Sequence, residues 1–362
     1  MHQLALPLLV GLIGVALAFD FLNGLHDAAN AIATVVATRL LRPVTAVAFA
    51  AFFNFAAYFL ALQWPALHNV ASTVGKGLID KDLVTPAVVF GALVGAMFWN
   101  VVTWLKGLPS SSSHALVGGI VGAGVAHAGM TAVQWNGLNK TLIAIVLSPT
   151  LGLMLTMVIM LITSWAGVRA SARGAESTLK VLHLCSSGAY CLSHGLNDAQ
   201  KTMGVITVLL YSTGHMQGAF HVPNWVALSC YVAMGIGTLT GGWRIIETMG
   251  TRITKLSQQQ GFSASLAGSM MLFATSWLGI PVSTTHTITG CVIGAGAARR
   301  ASAVRWGVAG NVAIAWLITI PASATVAALF YWLISGYFVR VAIIVGLICF
   351  FGYSARAWKI QS

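Results

Sequence analysis

Apolar runs separated by short polar breaks fill the chain almost from end to end. They cover 4–22 continuing into 27–38, then 43–64, 85–105, 114–130, 141–165, 181–211, 224–243, 263–279, 286–298, 306–334 and 340–355. A helix needs about 20 mostly apolar residues to cross a bilayer, so the pattern predicts roughly ten to twelve membrane elements, all of them helical. The run at 181–211 is long enough to contain a break. The first run, in MHQLALPLLVGLIGVALAFDF, lacks the basic flank and small-residue cleavage site of a secretory signal and reads as a retained span.

Composition strengthens this reading. The 362 residues are 57% hydrophobic and only 7% charged, against about 25% charged in soluble domains. This is an all-α polytopic membrane protein. The formal charge of +12 would suggest nucleic acid if it formed a patch on a soluble fold, but the basic residues are scattered among loops and no nucleic-acid partner is expected. Five cysteines with no CxxC pair, mostly in apolar runs, imply neither a disulfide framework nor a resident metal site.

Two motifs each occur twice. NGLHDAANAIAT (23–34) aligns with HGLNDAQKTMGV (194–205), and LPSSSSHALVGGIVGAG (108–124) aligns with IPVSTTHTITGCVIGAG (280–296). Asp27 to Asp198 and His114 to His286 are offset by 171 and 172 residues, in the same order. The chain therefore reads as a duplicated unit. Residues 1–165 form the first repeat, 166–180 a short cytoplasmic linker, 181–335 the second repeat, and 336–362 an additional C-terminal helix and tail.

Positive charge suggests how the repeats sit. Alternating the segments across the bilayer places thirteen basic residues on one side, among them Arg39, Arg42, Arg173, Arg252, Lys255, Arg299 and Arg305, and four on the other, Lys76, Lys81, Lys140 and Arg340. The rich side is then cytoplasmic, with the N-terminus outside and the C-terminus inside. Corresponding loops of the two repeats fall on opposite sides, the inverted-topology plan of many secondary transporters, whose sites lie at the repeat interface near the midplane.

The repeated SSSSH and STTH stretches sit where that site should be. Pro109 ends the preceding helix, and the serines after it are strong N-cap residues, so a new helix is expected to start near Ser111. Pro281 followed by Ser283, Thr284 and Thr285 reads the same way. A lone serine in a membrane helix ordinarily bonds its own backbone. Two runs of three hydroxyls, each behind proline and before histidine, point instead to two broken or re-entrant helices whose N-termini bind an oxyanion. His114 and His286 are expected to fix the hydroxyl geometry.

Only seven acidic residues occur, and Asp20, Asp27 and Asp198 lie at membrane depth. Such residues mark ion or proton pathways. Asp27 and Asp198 are repeat counterparts, each three positions after a glycine that would permit an unwound, cation-binding stretch. Asp20 has no acidic counterpart and no assigned role. Two roles fit His26, a proton carrier or a hydrogen-bonding replacement for its counterpart Asn197. Lys201, three residues after Asp198, either neutralises that acid or snorkels to an interface. Trp64, Trp165, Trp225 and Trp332 are expected in the interfacial belt.

These four linked motifs resemble those of the inorganic phosphate transporter family, over nearly the whole chain. The resemblance implies secondary transport of inorganic phosphate with proton or sodium symport, no resident cofactor, no enzymatic activity and a homodimer in the bacterial inner membrane. NGLHD together with HGLNDAQK looks most like the bacterial low-affinity, proton-coupled branch, for which the substrate is described as a metal–phosphate complex. Carried onto this sequence, the phosphate hydroxyls fall on Ser111, Ser112, Ser113, Ser283, Thr284 and Thr285, and the cation-binding residues on Asp27, Asn30, Asn197 and Asp198. His26 stands where sodium-coupled relatives commonly have asparagine, and the short linker leaves no room for the long hydrophilic domain of some members. The alternatives are sodium coupling or a sulfate permease of the same fold. An intramembrane serine hydrolase would need one asymmetric site, which the duplication disfavours, and a non-transporting receptor would not need inverted repeats.

Overall fold

A computed structural model describes residues 4–64, 67, 69–80, 83–168 and 171–336. The expected C-terminal helix, with Arg340, Arg356 and Lys359, lies outside them. Over the described residues there are twelve α-helices and no strand. They are α1 (Leu6–Ala37), α2 (Pro43–Gln63), α3 (Asn69–Gly77), α4 (Pro86–Leu105), α5 (Ser112–Ala128), α6 (Trp135–Gly167), α7 (Ala172–Ser212), α8 (Asn224–Thr240), α9 (Trp243–Glu247), α10 (Gln258–Trp277), α11 (Thr284–Arg299) and α12 (Trp306–Ser335). Five of them, α1, α2, α4, α6 and α12, are long and apolar enough to cross a membrane, and α8 with the segment after it, bent by 75°, makes a sixth if the two form one broken span rather than a re-entrant loop. α5 and α11, at 17 and 16 residues, are too short to span alone.

Outward faces are apolar, as with Phe52, Val146, Ile162 and Leu317, which suits lipid rather than water. Trp64, Trp165, Trp225 and Trp332 are likewise exposed. The polar residues lie inside, between two apolar cores. One core takes Leu12 and Phe19 of α1, Leu116 of α5, and Leu196 and Met203 of α7. The other takes Ile32 of α1, Tyr190 of α7, and Ile288 and Val292 of α11. α1 and α7 thus pass through the two cores in opposite order, and α5 and α11 run from the polar layer into different cores.

Helix pairing is reciprocal. α1 packs on α8 and α7 on α2; α5 packs on α12 and α11 on α6. Glycine makes these contacts close. A Cβ on Gly118 or Gly122 of α5 would stand 2.5 or 2.2 Å from the Ile320 or Ala324 carbonyl oxygen of α12. On α11, Gly290 and Gly294 meet the Pro149 and Leu153 carbonyls of α6 at 2.1 and 2.5 Å. Small residues let membrane helices approach in this way.

One expectation needs correction. α1 and α7 are continuous helices through Gly24 and Gly195, with no unwound stretch beside Asp27 or Asp198. The glycines serve packing: a Cβ on Gly24 would lie 2.2 Å from the Met234 carbonyl oxygen, and one on Gly195 2.6 Å from that of Asn54. Within 166–180, α7 is helical from Ala172 onward, where Ser171 caps it by accepting from the Gly174 N–H at 3.3 Å.

Candidate functional site

The polar layer is built from four helices. α5 and α11 begin there, as the prolines and hydroxyls predict. The Ser111 Oγ accepts the His114 backbone N–H at 3.2 Å, and the Ser283 Oγ accepts that of His286 at 3.1 Å. Both caps have the extended backbone usual at an N-cap. The remaining free N–H groups and positive dipole ends of the two helices face the middle of α1 and α7.

There the two acids meet the hydroxyls. Ser112 donates to Asp27 Oδ2 at 2.8 Å, and its counterpart Thr284 donates to Asp198 Oδ2 at 3.0 Å. The third hydroxyls reach across the repeats. Thr285 lies 3.3 Å from Asp27 Oδ1, 3.1 Å from the Ser110 carbonyl and accepts from Asn30 Nδ2 at 2.8 Å. Ser113 lies 3.4 Å from the Val282 carbonyl and accepts from Lys201 Nζ at 2.5 Å. Lys201 is ion-paired with Asp198, so of the two roles open to it the structure places it at the acid. All six hydroxyls are at most 6% exposed. The site is closed in this conformation, and a ligand can enter only if helices move.

Asp27, His194 and Asp198 form a compact group, with one ligand atom from each within 4.8 Å of the others. His194 Nε2 lies 3.3 Å from Asp198 Oδ2, and Nδ1 3.1 Å from Asn54 Oδ1. Two carboxylates and an imidazole at this spacing can hold a cation, a proton or a metal ion bound to an anion. On the other side, His26 Nδ1 lies 2.9 Å from Asp27 Oδ1, while its Nε2 lies 3.2 Å from Thr103 and 3.4 Å from Ser110. His114 and His286 face each other, ring centroids 4.5 Å apart and tilted by 73°. Trp316 stacks on His286 at 3.9 Å and donates its indole N–H to the Pro109 carbonyl at 3.0 Å, so one side chain braces both helix starts.

Most residues expected from sequence converge here. Asn197 donates its amide N–H to Ser276 on α10 at 3.3 Å, while its Oδ1 is buried without a protein partner. Asp20 lies about two helix turns before Asp27 on α1, its Oδ1 accepting from Thr202 at 3.0 Å. Sequence reasoning passed over His194, although it stands four residues before Asp198 and so on the same helix face. Thr103 and Trp316 carried no local signal, since their partners are distant in sequence.

Comparison with known proteins agrees with this architecture. The pattern of the phosphate transporter family matches residues 23–327. A Rhizobium meliloti protein named "probable low-affinity inorganic phosphate transporter" is 59% identical, covering 91% of this chain and 97% of its own. A Bacillus subtilis protein of the same name is 39% identical, with 89% and 96% covered. A solved structure described as "the sodium-dependent phosphate transporter" superposes with a TM-score of 0.79, covering 91% of this chain and 99% of its own at 24% identity, which establishes the shared fold. Both relatives are transporters rather than enzymes. The chain belongs to the phosphate transporter family.

Proposed function

We propose that this protein imports inorganic phosphate across the bacterial inner membrane by cation symport, with protons as the coupling ion. The observation that carries the reading is the convergence of two helix N-termini, each bearing three buried hydroxyls, on two carboxylates held within a few ångströms of each other. Backbone N–H groups and Ser112, Ser113, Thr284 and Thr285 supply donors to a tetrahedral oxyanion, with the Lys201 ammonium held beside them at Ser113. Hydrogen phosphate still carries a proton that it can donate to Asp27 or Asp198. Sulfate is an acceptor only and would be repelled there, which favours phosphate.

His26 supports proton coupling. It links Asp27 to Thr103 and Ser110, and an imidazole with one nitrogen at a carboxylate and the other at hydroxyls can pass a proton between them. A small cavity of about 80 Å³ lies against it, lined by Leu22, Leu25, Asn100, Val101 and Trp104. The Asn100 amide and the Trp104 indole N–H are buried beside it without protein partners. A divalent metal travelling with phosphate would meet Asp27, His194 and Asp198. Sodium coupling is the second reading, favoured by the hard oxygen donors around Asp27.

The opposite order in which α1 and α7 cross the two cores supports inverted repeats, and the bias of basic residues to one side favours the N-terminus outside and the C-terminus inside. Movement of the α5–α12 and α11–α6 contacts against α1 and α7 would open the closed site alternately to each face. The functional unit is taken to be a homodimer.

Uptake of labelled phosphate into liposomes, with an inward proton gradient, no sodium and unlabelled sulfate as competitor, tests the reading. Uptake that collapses with a protonophore and ignores sulfate supports it. Uptake that waits for sodium replaces the coupling ion, and strong competition by sulfate removes phosphate selectivity.

A further inference from the structure

The two halves of the site are matched in every oxygen but not in charge. In the second half, the Lys201 ammonium is held by the Asp198 carboxylate, the Ser113 hydroxyl at 2.5 Å and the Val282 carbonyl at 2.9 Å. A carboxylate, a hydroxyl and a main-chain carbonyl are the ligand types that hold a hard cation in a protein. The corresponding oxygens of the first half are Asp27, Thr285 and the Ser110 carbonyl. They are gathered in the same way, with the Thr285 hydroxyl 3.3 Å from the carboxylate and 3.1 Å from the carbonyl. No lysine reaches them, because the counterpart of Lys201 is Asn30. The Asn30 amide nitrogen donates to Thr285 at 2.8 Å, while its Oδ1 is buried and has no partner.

We infer that the Lys201 ammonium permanently occupies the cation position of the second half, leaving the position framed by Asp27, Thr285, Ser110 and Asn30 as the one that loads and unloads a coupling cation. The inference rests on the transport reading above and deepens it.

The physical argument is one of exchange. A gradient drives transport only through ions whose occupancy differs between the outward-facing and inward-facing states. An ammonium tethered to α7 balances the Asp198 charge in the low-dielectric interior, where an uncompensated carboxylate is costly, and while it keeps its proton beside Asp198 it gives up no cation to either side. It therefore contributes binding and local neutrality and no coupling. The first half keeps the same oxygens, adds the unsatisfied Asn30 Oδ1 and has the His26 imidazole at Asp27 Oδ1 where the second half has a tethered ammonium, so its oxygens are the ones offered to an ion from solution. Lys201 is 3% exposed, which leaves it no water in which to discharge its interaction.

The test is the coupling ratio of the full-length protein in liposomes, with membrane voltage clamped at zero. The gradient of the coupling cation that just cancels net phosphate flux gives the number of cations moved per phosphate. The expected ratio is one in the wild type and two in Lys201→Asn, which gives the second half the residue carried by the first. A ratio of two in the wild type, or of one in a transporting Lys201→Asn, overturns the inference while leaving phosphate transport intact. Should Lys201→Asn fail to fold, the wild-type ratio still decides. A wild type that moves no phosphate at all removes the transport reading, and this inference with it.

Discussion

Replacing Gly24 by alanine tests whether α1 is locked against α8 beside the site. By intrinsic preference alone, alanine stabilises a helix over glycine by about 1 kcal/mol, so Gly14→Ala and Gly24→Ala in the same helix should both help. The structure separates them. Gly14 has no atom near its missing Cβ, whereas at Gly24 the Cβ would stand 2.2 Å from the Met234 backbone carbonyl oxygen. That is roughly 1 Å inside ordinary contact distance, and a main-chain oxygen cannot rotate away. Overpacking of this kind costs about 1–3 kcal/mol or more, which exceeds the gain in helix preference. Relief requires α1 to move away from α8, carrying His26 and Asp27 with it. A misplacement of about 1 Å is enough to cost up to roughly 100-fold in a preorganised site. Thermal melting of the purified variants in detergent should place Gly14→Ala at or above wild type and Gly24→Ala clearly below, with phosphate uptake reduced at least several-fold. Gly24→Ala melting at or above wild type would refute the close-packing argument.

Three other outcomes follow from the same geometry. Ser112→Ala and Thr284→Ala each remove a donor to a buried carboxylate, worth about 1.5–3 kcal/mol; each should weaken phosphate uptake by at least tenfold, read as the concentration giving half-maximal rate, and comparable losses are expected because the two contacts correspond. Trp316→Phe keeps the ring over His286 but loses the hydrogen bond to the Pro109 carbonyl, about 1 kcal/mol, so it should melt slightly below wild type while Trp316→Ala falls much further. At the exposed start of α7, the Lys180 ammonium hydrogen-bonds Glu176 at 2.7 Å and holds its carboxyl below the usual range. A lowered carboxyl favours the folded state above its ordinary range and loses that support as pH falls through it; here solvent screens the pair, so Lys180→Ala should leave the melting temperature unchanged from neutral pH to pH 4.

Much of the site was legible in sequence because its determinants are local. Proline followed directly by a run of hydroxyls favours a helix start, so Ser111 and Ser283 read as caps from sequence. The i to i+3 spacing of Asp198 and Lys201 likewise predicts their meeting. Glycine misled at positions 24 and 195, since the same residue serves unwinding and close packing, and only the neighbouring carbonyls of Met234 and Asn54 distinguish the two. Asn197 was assigned by analogy with its motif, but Ser276 on α10 competes for its amide. What joins the halves, Ser113 to Lys201, Thr285 to Asn30 and Trp316 to Pro109, depends on tertiary placement that no periodicity encodes.

The central claim is that phosphate sits between the first turns of α5 and α11. Arsenate, a tetrahedral oxyanion whose heavy atom scatters anomalously, can be bound to the crystallised protein and located directly. The account predicts one strong anomalous peak within hydrogen-bonding reach of Ser112, Ser113, Thr284 and Thr285, lost in the Ser112→Ala, Thr284→Ala double variant. A peak elsewhere in the protein, or one that persists in that variant with unchanged occupancy, would contradict it.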